Sequence, residues 1–160
     1  MGAIMRTGEV EFRFPVMGVT PDRDLWGFPD LDRLTKCGTQ TLRDNMAVGM
    51  ELIDAEGARW RVLAVRRLGP AGTLWQRILS HTLRPPPQSR IDHELEALAA
   101  MSLAEVQARV VAGLEAFPGY WCDDEDDPEP ELAPRRAAVM AAGSIAELHE
   151  IMGLDTLEAY

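Results

Sequence analysis

The side chains with intrinsic reactivity are few and scattered. Two cysteines, Cys37 and Cys122, and three histidines, His81, His93 and His149, stand singly along 160 residues. A zinc site needs three or four such ligands within tetrahedral reach, and CxxC, HxxxH or HExxH spacings usually begin one. None of these spacings occurs, and neither do the glycine-rich GxGxxG or GxxxxGK[ST] phosphate loops, so no metal and no cofactor is expected. Cys37 with a histidine is the available nucleophile and base. Cys37-Gly38 closes a short expected helix, however, and the partial negative charge of a helix C-terminus opposes a thiolate. His81, Asp92 and His93 flank the boundary between the two halves of the chain. They are the polar groups that a hydrolase-like cleft would use. Paired-carboxylate hydrolysis has 26 acids to draw on, with nothing to single out two at the required separation.

A stronger signal is one of recognition. Asp123-Asp-Glu-Asp-Asp-Pro-Glu-Pro-Glu131 lacks the DxDxDG pattern of an EF-hand loop, and a block of like charges ordinarily stays hydrated as a plain solvated loop. Tyr120 and Trp121 stand immediately before it, and Pro128 and Pro130 stiffen its far end. Aromatic anchors supply interface energy and a negative field speeds encounter with a basic surface. The expected binding residues are therefore Tyr120, Trp121, Asp123, Asp124, Glu125, Asp126 and Asp127. Trp26 and Phe28 form a second aromatic pair. They either plug one end of a sheet or make the lip of a binding surface.

Charge is unevenly divided. Residues 1–90 hold 13 Lys or Arg against 10 Asp or Glu, whereas residues 91–160 hold 3 against 16, so the net −10 belongs to the second half. Binding a nucleic-acid backbone needs a Lys/Arg surface, and Lys36 is the only lysine; direct nucleic-acid binding is disfavoured. Arg59, Arg61, Arg66 and Arg67 offer phosphate or carboxylate contacts, or simply the solvated face of a sheet. The chain opens with no signal-peptide pattern and carries no apolar run of about 20 residues, so a cytoplasmic protein without a membrane span is expected. Free thiols, rather than a bridge, fit that compartment.

The elements that must position these residues are organised around residues 46–67. Met46, Val48, Met50 and Leu52 alternate, Trp60, Val62 and Ala64 resume the period of two, and Gly57 in the intervening Asp54–Gly57 turn supplies a positive φ. The pattern around Gly49 and Gly57 resembles SH3-like β hairpins, which implies a shape and no activity. Val10, Phe12, Phe14 and Val16 predict another strand, with Pro15 confining its end to an edge. Gly18 to Asp24 reads as a turn, Asp30 as the N-cap of a short helix ending at Gly38, and Thr39 to Asn45 as a polar link. Thr73 to Leu83 fits a further strand beside 60–67.

Pro85-Pro-Pro-Gln-Ser then breaks the regular structure. Beyond it Ile91, Leu95 and Leu98 space as a helix in a stretch rich in Ala, Leu and Glu. Ser102-Leu-Ala-Glu105 is a capping box opening a helix that Pro118-Gly119 stops. A helix over 132–142 places Pro134 in its first turn, and a last helix runs from Ser144 to Met152, followed by a tail packing through Leu154 and Leu157.

The expected architecture is α+β: a small, strongly bent, SH3-like antiparallel sheet followed by three or four helices. Residues 1–84 would form the β subdomain with one short helix, 85–90 a proline-rich boundary, and 91–160 an acidic helical subdomain. The function expected from this reading is a non-catalytic protein-binding module, such as an inhibitor or immunity protein covering a basic partner surface. The competing expectation is a small hydrolase-like enzyme with a cleft between sheet and helices.

Overall fold

Asp54 and Gly57 turn the chain where the hairpin is expected. The buried Asp54 carboxylate accepts from the N–H groups of Glu56 and Ala58, each at 3.0 Å, and Gly57 adopts φ +86°. The computed structural model describes residues 2–72 and 88–156. Its strands are β1 (Ile4–Arg6), β2 (Val16–Val19), β3 (Leu25–Phe28), β4 (Lys36–Gly38), β5 (Glu51–Ile53), β6 (Arg59–Pro70) and β7 (Gln88–Leu98). Its helices are α1 (Leu31–Leu34), α2 (Thr39–Arg43), α3 (Leu103–Ala116), α4 (Pro118–Trp121), α5 (Glu129–Ala141) and α6 (Ile145–Met152). The strand expected over Thr73 to Leu83, His81, the Pro85–Pro87 run and Leu157 lie outside the described residues.

All seven strands join one antiparallel sheet in the order β1-β7-β6-β5-β2-β3, with β4 also pairing to β7. The class is α+β, but the SH3-like, strongly bent sheet with three or four helices is not what forms. Closure would need the outer strands to meet; instead β1 pairs with β7 and β3 with β2, which leaves two edges and an open sheet. Six helical segments accompany it among the described residues.

The largest correction concerns Ile91 to Ala100. Its residues through Leu98 belong to strand β7, not to a helix. Ser89, Ile91, His93 and Leu95 are buried in alternation, a period of two that the Ile91, Leu95 and Leu98 spacing conceals. Long pairing with β6 overrides helix propensity, and it places Glu96 opposite Arg61 and Asp92 opposite Arg66. Arg61 and Glu96 approach to 3.7 Å, as do Arg66 and Asp92. Opposite charges at facing positions are what an antiparallel pair rewards.

Other expectations change as well. Val10 to Phe14 joins no ladder: Arg13 N–H is taken by the Asp54 carboxylate at 3.2 Å and Arg13 C=O by Ala55 N–H at 2.7 Å. Phe12 still turns inward, its ring 4.9 Å from that of Trp60. The expected strand 46–54 shrinks to β5, with Met46 and Val48 exposed. The short helix expected to reach Gly38 ends at Leu34, Lys36–Gly38 forms β4, and Thr39 begins α2 rather than a link. Helix α5 starts at Glu129, so Pro134 sits inside it rather than in its first turn.

Both faces of the sheet are covered. Met17, Val19, Leu25 and Ile53 pack with Val106, Val110 and Leu114 of α3 and Leu148 of α6. Val16, Phe28, Leu52 and Val62 pack with Leu34 of α1 and with Met50 on the opposite face. The capping box of α3 forms as expected: Ser102 N–H donates to Glu105 at 2.7 Å and Glu105 N–H to Ser102 Oγ at 3.3 Å. Ser144 caps α6 by accepting from Glu147 N–H at 3.1 Å, but the Glu147 carboxylate takes Gly143 N–H, and Gly153 at φ +63° ends the helix. No helix among the described residues is long and apolar enough to cross a membrane.

Candidate functional site

Phe117 ends α3, and Pro118 opens the single turn α4 that carries the first aromatic pair. Tyr120 is 48% exposed, while Trp121 is 8% exposed and packed within the helix-side core. Their rings meet edge to face with centroids 4.8 Å apart. Arg135 Nη1 donates to Trp121 C=O at 2.8 Å and pins the turn to α5. Trp121 is thus a core residue, whereas Tyr120 is half-exposed at the surface.

The acidic run after this turn organises its own backbone. The Glu131 carboxylate accepts from Asp123 N–H at 3.1 Å and Asp124 N–H at 3.2 Å, and Asp124 Oδ1 accepts from Asp126 and Asp127 N–H at 3.1 and 3.2 Å. Arg136 pairs with Glu129 at 3.2 Å and Glu115 at 3.5 Å. Among the described residues no lysine or arginine forms an ion pair with Asp123, Asp124, Glu125, Asp126 or Asp127. A side chain at Gly119 would meet Glu125 at 3.2 Å, which places the acidic loop directly beside Tyr120.

Tyr120 also borders a cavity of about 170 Å³, as do Trp26 and Phe28 of β3. The structure therefore brings together three residues from the two aromatic clusters. Trp26 Nε1 donates to Asp24 Oδ2 at 2.9 Å, which holds the indole along the edge strand. Apolar side chains of Leu34, Met50, Val65 and Ile91 make most of the wall. Cys37, Thr41 and His93 line it as well; the sequence singles out Cys37, as a nucleophile with a histidine, and His93, beside His81 and Asp92, but not Thr41. The signal that could have linked them is the alternation of β7, which puts His93 in register with Ile91 facing inward.

The same alternation separates the residues expected in a catalytic cleft. His93 is 2% exposed and faces inward, whereas Asp92 pairs with Arg6 at 3.5 Å and Arg66 at 3.7 Å. Burial holds the His93 imidazole down at about 4, only partly offset by the Asp92 charge, so the ring is neutral near pH 7. Thr7 Oγ1 lies 3.1 Å from His93 Nδ1 and fixes the ring. Cys37 sits in β4 rather than at a helix end, and burial pushes its thiol up, away from the reactive thiolate. Burial, reinforced by Glu131, raises the Cys122 thiol too; the two cysteines are separate and free. His149 is a buried residue of α6, 3.6 Å from Asp155. No group of three or more His, Cys, Asp or Glu side chains that could hold a metal ion occurs among the described residues.

The arginines of β6 are mostly committed. Glu51 receives Arg59 at 3.2 Å, Arg61 at 3.6 Å and, from α3, Arg109 at 3.4 Å. Arg67 Nε donates to Ser89 Oγ at 2.9 Å. This face carries a partly exposed ion-pair network centred on Glu51. Comparison of the chain with protein-family models, curated proteins and solved structures found no match.

Proposed function

We propose that the protein is a non-catalytic binding module, of the inhibitor or immunity type, that covers a basic surface on a protein partner. The observation that carries this reading is the loop Asp123–Asp127, whose five carboxylates no described lysine or arginine neutralises, next to the half-exposed Tyr120. Self-capping by Asp124 and Glu131 holds the loop in one shape, so a partner would not have to order it on binding. Tyr120 supplies the contact area and the loop supplies the steering field. Trp121 contributes by holding Tyr120 and the loop in place from inside the core.

Selection of displayed random peptides on the immobilised full chain tests this. Enriched sequences should be rich in Lys and Arg, and their capture should fall by about tenfold when Asp124, Asp126 and Asp127 are all changed to Asn, or when salt is raised. Enrichment of neutral or acidic peptides, or capture indifferent to salt, contradicts the reading.

One observation favours the second reading, a small hydrolase-like enzyme: the cavity between β3, β4 and β7 has His93 and Cys37 in its wall. That reading requires His93 to act as a base, so ester hydrolysis by the full chain would have to be abolished by His93→Gln while the fold survives. Hydrolysis that persists in that variant removes the case for this site.

A further inference from the structure

The wall of the cavity contains two buried polar groups that the protein itself leaves unused. His93 is 2% exposed and Thr41 is 4% exposed, and both line the cavity. Thr7 occupies the Nδ1 side of the imidazole, and among the described residues neither His93 Nε2 nor Thr41 Oγ1 makes a hydrogen bond. Both groups face the cavity, so an occupant that hydrogen-bonds them is favoured there over one that only fills the apolar space.

The charged groups in the wall do not play that role. Lys36 Nζ is held by Asp32, and the Asp24 carboxylate takes Trp26 Nε1–H and Leu25 N–H, both at 2.9 Å. With these charges engaged and the rest of the wall mostly apolar, an ionic occupant would lose much of its hydration without a charged partner in return. A neutral one would not.

Size narrows the class further. A cavity of about 150 Å³ lined by aliphatic and aromatic side chains holds one benzene ring, and this one measures about 170 Å³. There is room for a single ring and a small substituent. The Thr7 hydroxyl can either donate to Nδ1 or accept from it, so Nε2 is correspondingly a donor or an acceptor. A hydroxyl on the ring meets either case, because it both donates and accepts.

We propose that the cavity framed by β3, β4 and β7 binds a free, neutral, single-ring aromatic molecule bearing a hydroxyl group, with the ring against Leu34, Met50 and Ile91 and the hydroxyl on His93 Nε2 and Thr41 Oγ1. This site shares Tyr120 with the proposed docking surface, but none of the acidic residues Asp123–Asp127 lines it. The floor, with Leu34, Met50, Ile91 and His93, is buried and suits a free small molecule that enters past the exposed Phe117 and Tyr120.

Phenol and toluene, nearly equal in shape, are the probes, titrated into the full chain by calorimetry and by proton NMR. Both should bind the natural protein. Ala47→Leu, which fills the cavity, should weaken both by about tenfold or more, and Val65→Phe does the same from β6 if the first variant fails to fold. Thr41→Val keeps the shape and removes the hydroxyl; it should shift the ratio of phenol to toluene affinity against phenol by about fivefold. Taking the ratio cancels the different hydration of the two probes. Absence of binding by either probe overturns the proposal, as does binding that both filling variants leave unchanged. A ratio unmoved by Thr41→Val overturns the hydroxyl assignment and with it the proposed ligand class.

Discussion

Tyr120 and Trp121, neighbours in the chain with ring centroids 4.8 Å apart, are divided between surface and core. The division assigns them opposite experimental signatures. Trp121→Ala should cost about 3–5 kcal/mol of stability by emptying a packed site between α3 and α5. Tyr120→Ala should cost under about 1 kcal/mol while weakening capture of basic peptides. Paired denaturant titrations of the two variants check this, and equal losses would mean that the pair acts as one core unit.

Gly27 on β3 meets the carboxy-terminal turn directly. A Cβ there would fall 2.4 Å from Leu154 O and 2.6 Å from Leu154 Cβ. Backbone cannot step aside as a flexible side chain can, so Gly27→Ala should destabilise by about 1–3 kcal/mol. Thermal melting gives the answer; an unchanged midpoint would show that the turn at 154–156 does not rest on the sheet.

The histidines predict an acid limb above the carboxylate range. His93 falls from the ordinary 6.5 to about 4 because burial penalises its charged form, and burial lowers His149 as well against the opposing pull of Asp155. The unfolded chain therefore binds more protons than the folded one as pH drops below about 6.5. Stability is full above that point, declines between pH 6.5 and about 4, and His93 alone accounts for about 3 kcal/mol of the decline. Asp32 and Glu105 are lowered too, through Lys36 and Ser102 respectively, and their contribution is lost only at still lower pH. His149→Leu should shrink the upper limb, since both ring nitrogens are buried and have no hydrogen-bond partner among the described residues. Denaturant midpoints at pH 7.0, 5.5 and 4.5 read it out, and superimposable profiles for variant and natural chain would refute the assignment.

Glu51 collects three guanidinium groups, from Arg59, Arg61 and Arg109, and ties β5 and β6 to α3. Glu51→Ala leaves like charges crowded together and should cost about 1–3 kcal/mol. Arg61→Ala, which removes a half-exposed partner, should cost under about 1 kcal/mol. The difference should narrow in high salt. If the two variants melt together at low salt, the network is only a surface arrangement.

Sequence alone determined the features that are local in cause. The Asp54–Gly57 turn, the Asp30 cap of α1, the Ser102–Glu105 box of α3 and the stop at Pro118 depend on residues within a few positions of one another, and their side-chain chemistry leaves little choice. The contrast in charge between the halves, and the self-repelling run after Tyr120, are likewise composition. Tertiary structure decided what depends on partners far along the chain. Residues 91–98 are good helix formers, yet β6 offers them a ladder and oppositely charged neighbours, so they extend. Val10 to Phe14 alternates perfectly but loses its ladder to Asp54, 41 residues from Arg13. The cavity was invisible for the same reason: Thr41, His93, Cys37 and Trp26 come from four separate elements, and only packing brings their chemistry to one place.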